Sequence, residues 1–265
     1  MILLLPGALE IAYDEAGSGI ALLMIHGWPH DRTLWAGQTS GLSAGARCIA
    51  PDLRGLGGTS VRGPYSIDQY ADDLDAFLGA LGIERAVICG LSMGGYIAFA
   101  MLRRHRARVR ALVLADTRAT ADTDAMRDNR MRQVALIEEH GLDALVPAHL
   151  RASVGRSTFE QNAPLVERVR RMMSAAPAQG AIGALRAMAA RPDSSELLAT
   201  IDVPTLVVGG MEDTVTTPDE LRAMAASIPH SRLELLEGSG HVCPIERPAA
   251  FNHVVSEFLS TLLLD

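Results

Sequence analysis

Val87-Ile88-Cys89-Gly90-Leu91-Ser92-Met93-Gly94-Gly95-Tyr96 is the stretch that decides the fold. An apolar run ends in Gly-x-Ser-x-Gly, and a helix-period run, Gly94 to Arg104, follows it. A short continuous apolar run marks a strand covered on both faces. A strand that feeds straight into a helix sets Ser92 on a sharp corner, its hydroxyl lifted above the sheet. Small residues at Gly90 and Gly94 let neighbouring backbone pass that corner. The Met93 N–H lies at the helix N-terminus, where backbone donors and the dipole favour a developing negative charge. The pentapeptide alone is a weak signal; its strand and helix make Ser92 a candidate nucleophile.

Outward from this corner, strands and helices alternate. Ile2 to Leu5 and Leu9 to Asp14 read as a hairpin turned at Pro6-Gly7. Strand-like runs follow at Ala21–Ile25, Cys48–Ala50, Ala86–Cys89, Val109–Ala115, Thr205–Val208 and Leu233–Leu236. Helix-period segments cover Ser66–Leu81, Gly94–Arg104, Pro218–Ser227 and Pro248–Leu264. This rhythm predicts an α/β fold, a mostly parallel sheet flanked by helices. From Thr117 to about Ala199 no strand is readable, only helical runs broken at Gly141, Gly155, Pro164, Pro177 and Pro192. An all-helical insertion between two strands reads as a cap. The expected organisation is a core of residues 1–116 and 200–265 with a cap of 117–199. Met126, Met131, Met172, Met173 and Met188 fall in the cap, as helix core or as an adaptable pocket ceiling.

Composition narrows the function. The chain has 265 residues, 48% hydrophobic, and a formal charge of −7, which argues against nucleic-acid binding. All 24 basic residues are Arg, so Schiff-base, P-loop and Ser–Lys chemistries are excluded. The dense Arg103-to-Arg110 cluster reads as a solvated face. Cys48, Cys89 and Cys243 are far apart, which disfavours disulfides or a zinc site and fits a reducing compartment, the cytoplasm. Cys243 reads as a small buried hydrophobe. No signal peptide is readable in the first residues, and no apolar run approaches the ~20 residues of a membrane span.

A serine nucleophile needs a base, and the base an orienting acid. His241 follows the last strand in Gly238-Ser239-Gly240-His241, at the carboxyl edge where α/β sites form. His105, among arginines, reads as solvated; His140 and His149 belong to the cap, His253 to the last helix, and His230 to the wrong end of the sheet. Asp213 follows the Thr205 strand on the same edge, with Asp116 as runner-up and Glu212 third. The chain order Ser92, Asp213, His241 is that of nucleophile, acid and base in one fold. His26-Gly27-Trp28-Pro29 follows a buried strand, and the Trp28 N–H is the natural second oxyanion donor beside that of Met93. His26 reads as a brace for that loop.

These pieces resemble the α/β-hydrolase superfamily, in its capped branch of small esterases, 3-oxoadipate enol-lactonases and cofactor-free haloperoxidases or perhydrolases. The resemblance rests on His26-Gly27-Trp28-Pro29, Pro51-Asp52-Leu53-Arg54-Gly55-Leu56-Gly57-Gly58-Thr59-Ser60, Gly90-Leu91-Ser92-Met93-Gly94-Gly95, the Pro204-to-Asp213 strand and loop, and Gly238-Ser239-Gly240-His241. It covers the sheet portion in the family's order; Leu56 replaces a residue that is often polar or aromatic. Ser92 stands where dehalogenases and epoxide hydrolases of this fold carry aspartate.

The resemblance implies hydrolysis of a small carboxylic ester or lactone through an acyl-enzyme, with catalytic Ser92, Asp213 and His241, an oxyanion hole of the Trp28 and Met93 N–H groups, and neither metal nor cofactor. The expected partner is a small-molecule ester or lactone, with no nucleic acid and no membrane. Acyl transfer to peroxide, for which the Trp28 carbonyl beside Pro29 would accept from peroxide, carbon–carbon bond hydrolysis and receptor-like ligand binding are the alternatives.

Overall fold

The computed structural model describes residues 1–263; Leu264, included above in the last helix, and Asp265, included in the core, lie outside the described residues. The apolar runs pair into one eight-stranded sheet in the order β1-β2-β4-β3-β5-β6-β7-β8. Its strands are β1 (Ile2–Leu5), β2 (Leu9–Ala16), β3 (Ile20–Ile25), β4 (Ala46–Pro51), β5 (Ala86–Leu91), β6 (Val109–Ala115), β7 (Thr205–Gly210) and β8 (Arg232–Leu236). The β1/β2 and β2/β4 pairs are antiparallel, and all others are parallel. The β3, β5 and β7 strands are buried along their whole length, as strands covered on both faces must be. This is the predicted α/β architecture.

Helices α1 (Ala36–Gly41), α2 (Ile67–Ala80) and α3 (Met93–Arg104) lie between the early strands, and α10 (Pro218–Ala226), α11 (Cys243–Glu246) and α12 (Pro248–Thr261) between or after the late ones. The α2 helix starts where Ser66 accepts from the Gln69 N–H at 2.9 Å. A capping box between Thr217 and Glu220 starts α10. Between β6 and β7 lie only helices: α4 (Asp124–His140), α5 (Val146–Ser153), α6 (Arg156–Gln161), α7 (Ala163–Ser174), α8 (Ala178–Ala189) and α9 (Ser195–Leu198). The inserted helical cap is therefore present.

Both ends of this insert are fastened to α3, the helix that follows Ser92. The fully buried Asp122, at its entry, accepts from Arg130 and, at 2.6 Å, from Arg191 near its exit. The Arg191 guanidinium lies 4.0 Å from the Tyr96 ring centre on α3. Of the cap methionines, Met172, Met173 and Met188 are buried, Met131 is exposed, and Met126 lines a cleft.

The Arg103-to-Arg110 cluster lies largely on an exposed face, as expected, and its members are paired with acids: Arg103 with Asp68, Arg104 with Asp72 at 2.7 Å, and Arg108 with Asp75 at 2.6 Å. One expectation needs correction: His105 is half-buried rather than solvated, its Nε2 2.7 Å from Asp72. The reason is register. Asp68, Asp72 and Asp75 recur at helical spacing along the face of α2 that meets the end of α3.

Candidate active site

Ser92 stands between β5 and α3 with φ of 53° and ψ of −113°, a left-handed backbone that costs a non-glycine residue energy and needs surrounding structure to hold it. That structure comes from both sides. The Ser92 N–H donates to the Ala115 carbonyl at 2.9 Å, and its own carbonyl accepts from the Thr117 hydroxyl at 2.8 Å. A Cβ on Gly90 would collide with the Gly94 carbonyl, and one on Gly94 with that of Ile25. These positions must be glycine for the strand, corner and helix to close together.

The hydroxyl of half-buried Ser92 meets His241. The Ser92 Oγ–H donates to His241 Nε2 at 2.8 Å, and the His241 Nδ1–H donates to Asp213 Oδ2 at 2.7 Å. The other Asp213 oxygen accepts from the N–H groups of Val215 at 2.7 Å and Thr216 at 3.0 Å, which fixes the carboxylate. Burial pulls the His241 pKa down, but the charge and hydrogen bond of Asp213 outweigh it and hold it above the ordinary value.

The other acids have different partners. Asp116 is fully buried and accepts from the Gly210 N–H at 2.8 Å and the Cys243 N–H at 3.4 Å. Burial, then the nearby Asp213 charge, pushes its pKa up to about 7. Glu212 turns to the cap, accepting from the N–H and hydroxyl of Ser157. Cys243 is wholly buried, and burial raises its thiol pKa well above the usual value.

The segment after β3 lies against the corner. A Cβ on Gly27 would come within 3.3 Å of Ser92 Cβ. Among the described residues the Trp28 N–H donates to no protein acceptor. As the first N–H of α3, that of Met93 has no acceptor within the helix. His26 braces the loop: its Nε2 accepts from the Leu53 N–H at 3.0 Å, and its Nδ1–H donates to the Gly27 carbonyl at 2.9 Å. The structure thus brings together Ser92, His241, Asp213 and the loop bearing Trp28. It leaves His140 and His253 on exposed faces and His230 before β8, at the far end of that strand.

Two histidines sit closer to this centre than the sequence indicates. His149, on cap helix α5, points its Nε2–H at the Trp28 carbonyl, 3.3 Å away, with its ring edge-on to Trp28 at 4.9 Å. That carbonyl is the acceptor the peroxide alternative requires. The Trp28 indole N–H donates to the Ala181 carbonyl of α8 at 3.0 Å, so the cap grips this residue twice. Burial, then the nearby His241, lowers the His149 pKa to about 4. His30 is buried with both ring nitrogens unpartnered among the described residues. Neither has a local signature, because only the tertiary fold brings residue 149 to residue 28. A cleft of about 390 Å³ opens beside His149, lined by Trp28, Met126, Asn129, His149 and Val215.

A mostly parallel sheet with a serine at a strand-to-helix corner, a histidine and an acid at the same carboxyl edge, and a helical insert above them defines a capped enzyme of the hydrolase-fold class. The chain belongs to the alpha/beta hydrolase fold family, which residues 20–248 match. It is 30% identical over 233 residues to 3-oxoadipate enol-lactonase 1 of Acinetobacter baylyi, covering 88% of this chain and 85% of that relative. A thermophilic esterase from Thermogutta terrifontis, solved with malate bound, superposes with a TM-score of 0.96 at 36% identity, over 99% of each chain. The enol-lactonase from Burkholderia xenovorans LB400 superposes with a TM-score of 0.90 at 28% identity, over 98% of this chain and 100% of that one.

Proposed function

We propose that this protein is a serine hydrolase that cleaves small carboxylic esters or lactones through an acyl-enzyme. The observation that carries the reading is the continuous hydrogen-bonded line from Ser92 through His241 to Asp213, at 2.8 and 2.7 Å. His241 takes the Ser92 proton as Oγ bonds to the substrate carbonyl carbon. Asp213 holds the Nδ1–H tautomer and stabilises the imidazolium without accepting the proton. The Trp28 and Met93 N–H groups hold the oxyanion of the tetrahedral intermediate. As it collapses, the carbon–oxygen bond breaks and His241 gives its proton to the leaving alcohol. Water then attacks the acyl-enzyme with His241 as base, and Ser92 is released with its proton restored.

Similarity to an enol-lactonase and an esterase supports the substrate class. The buried cysteines fit a cytoplasmic setting. The reading is tested by labelling with a fluorophosphonate, which reacts with an activated serine. Mass spectrometry is expected to find one adduct, on the peptide holding Ser92, and none in Ser92→Ala. An adduct that persists in that variant contradicts the assignment.

A further inference from the structure

The three residues after β6 each hold a different part of the site. Asp116 accepts from the Gly210 N–H at the end of β7 and from the Cys243 N–H just past His241. The Thr117 hydroxyl donates to the Ser92 carbonyl at 2.8 Å. The Arg118 guanidinium donates to the Val215 carbonyl and, at 3.4 Å, to the Thr216 hydroxyl. Side chains along a strand alternate between two faces. The left-handed backbone of Asp116, with φ of 42°, breaks that alternation and lets its neighbours fan out.

Arg118 meets the turn that carries the acid of the triad. The Val215 and Thr216 N–H groups hold one Asp213 oxygen, at 2.7 and 3.0 Å, while the other faces His241. Among the described residues no side chain except His241 bonds the Asp213 carboxylate, so its aim depends on this turn. Arg118 grips the same two residues by their acceptors, the Val215 carbonyl and the Thr216 hydroxyl. Its Nη1 lies 3.3 Å from Glu220, whose other oxygen accepts from the Thr217 N–H at 2.8 Å. A guanidinium is a planar fork that serves several acceptors in fixed directions, which an ammonium does not. Next along the chain, the Ala119 carbonyl accepts from the Ser194 N–H at 2.9 Å, where the helical insert returns toward β7.

We infer that Arg118 is a positioning residue: by clamping the Val215–Thr216 turn it aims the Asp213 carboxylate at His241 and ties the root of the helical insert to the triad. The inference rests on the serine-hydrolase reading. The hydrogen bonds of Arg118 reach the turn and not Ser92 or His241. A loosened turn lets the carboxylate drift, and the imidazole then loses the partner that fixes its tautomer and direction.

The test compares native protein with Arg118→Met, which keeps an apolar stem and loses every donor, on whichever p-nitrophenyl ester the native protein cleaves fastest. Displacing a catalytic group by about an ångström costs up to about 100-fold, so kcat is expected to fall about 10-fold or more with a much smaller change in KM. Proton NMR reads the His241–Asp213 bond itself. The native Nδ1–H should give a far-downfield signal, assigned by its loss in His241→Gln, that weakens or moves upfield in Arg118→Met. Native kcat in Arg118→Met overturns the inference, as does a fall in kcat with that signal unchanged, or a native protein without the signal. If Arg118→Met does not fold, Arg118→Lys, a single donor group in place of the fork, decides by the same two readings. Ser92-dependent turnover that Arg118→Met leaves intact overturns this inference alone; no Ser92-dependent turnover of any p-nitrophenyl ester by the native protein overturns the hydrolase reading with it.

Discussion

The backbone N–H of His241 donates to the Ser153 carbonyl at 2.8 Å, so the loop that carries the histidine hangs on the cap. The residue before it is held the same way. Glu246, buried, accepts from the Gly240 N–H at 2.8 Å with one oxygen and from the Gly155 N–H of the cap at 2.9 Å with the other. Gly155 and Gly240 lie so close that a Cβ on either would collide with the other's backbone. The cap therefore forms part of the mount for the base.

Glu246→Gln keeps the shape but turns an NH₂ toward one of the two backbone donors. His241 should then sit off its line to Ser92. Misplacement of a catalytic group on the ångström scale costs up to about 100-fold in rate. The expected outcome is a fall in kcat of about 10- to 100-fold with a much smaller change in KM. A parallel loss in the fluorophosphonate labelling rate separates mispositioning from simple destabilisation. Unchanged kcat and labelling contradict the role.

Asp116 contributes to the pH profile, after Asp213. His241 faces Asp213, Asp116 and Arg118; the two carboxylates raise its pKa and Arg118 lowers it. Activity needs neutral His241, so kcat/KM rises with pH through its pKa. Asp116→Asn removes the negative charge that Asp116 carries when ionised, which favours imidazolium, and the acid limb is expected to move to lower pH. An acid limb that stays in place, or moves up, contradicts this coupling.

At the base of the cap, Arg191→Ala removes one of the two cations on buried Asp122 and the partner of the Tyr96 ring. Breaking a buried pair by deleting one partner is strongly destabilising, here by about 3 kcal/mol. That corresponds to a Tm lower by roughly 6–12 °C for a chain of this size. Arg170→Ala breaks an exposed pair with Glu167 and should leave Tm in place. Equal Tm for the two variants contradicts the anchoring role of Arg191.

Two buried histidines, His26 and His30, and the half-buried His149 respond to acid. Burial lowers the pKa of His26, His30 and His149 in the folded state; neighbouring histidines lower those of His30 and His149 further, whereas Asp52 opposes the shift at His26. Unfolding lets each take a proton below about pH 6.5, so their stabilising effect is whole above that value. It declines as pH falls toward each folded-state pKa, about 4 for His149. His241, raised, acts in the opposite sense: its contribution is full at low pH and lost as pH rises through its folded pKa. Asp116, raised to about 7, also acts in that opposite sense, so the contribution of a histidine is read as a difference between variants. In His149→Phe, Tm is expected to fall less, or to rise more, between pH 7 and pH 5 than in the native protein; an identical change in the two proteins contradicts the account.

The sheet is legible in the sequence because β3, β5 and β7 are runs of apolar residues bounded by glycine, proline or charge, a pattern that permits little but a covered strand. Ser92 and Asp213 are readable as candidates because they sit just past β5 and β7, and His241 because it follows the half-buried edge strand β8; the parallel strands bring those ends to one edge. What is not legible lies in contacts across the cap. Trp28 meets His149 and Ala181, and Gly240 meets Gly155, only after the helical insert has folded over the sheet. His30 sits one turn past Gly27, but nothing local marks its nitrogens as unpartnered. His105 misleads because a run of arginines shows its own sign and not the acids of a neighbouring helix, of which Asp72 takes the imidazole.

The central claim, that Ser92 attacks the substrate carbonyl with His241 as its base, is tested most directly by assaying native protein and Ser92→Ala side by side. The substrates are p-nitrophenyl esters from acetate to dodecanoate and a small set of lactones. The account predicts turnover by the native protein and a loss of roughly four to six orders of magnitude in Ser92→Ala, with the fold intact. Near-native rates in Ser92→Ala on these substrates would contradict it.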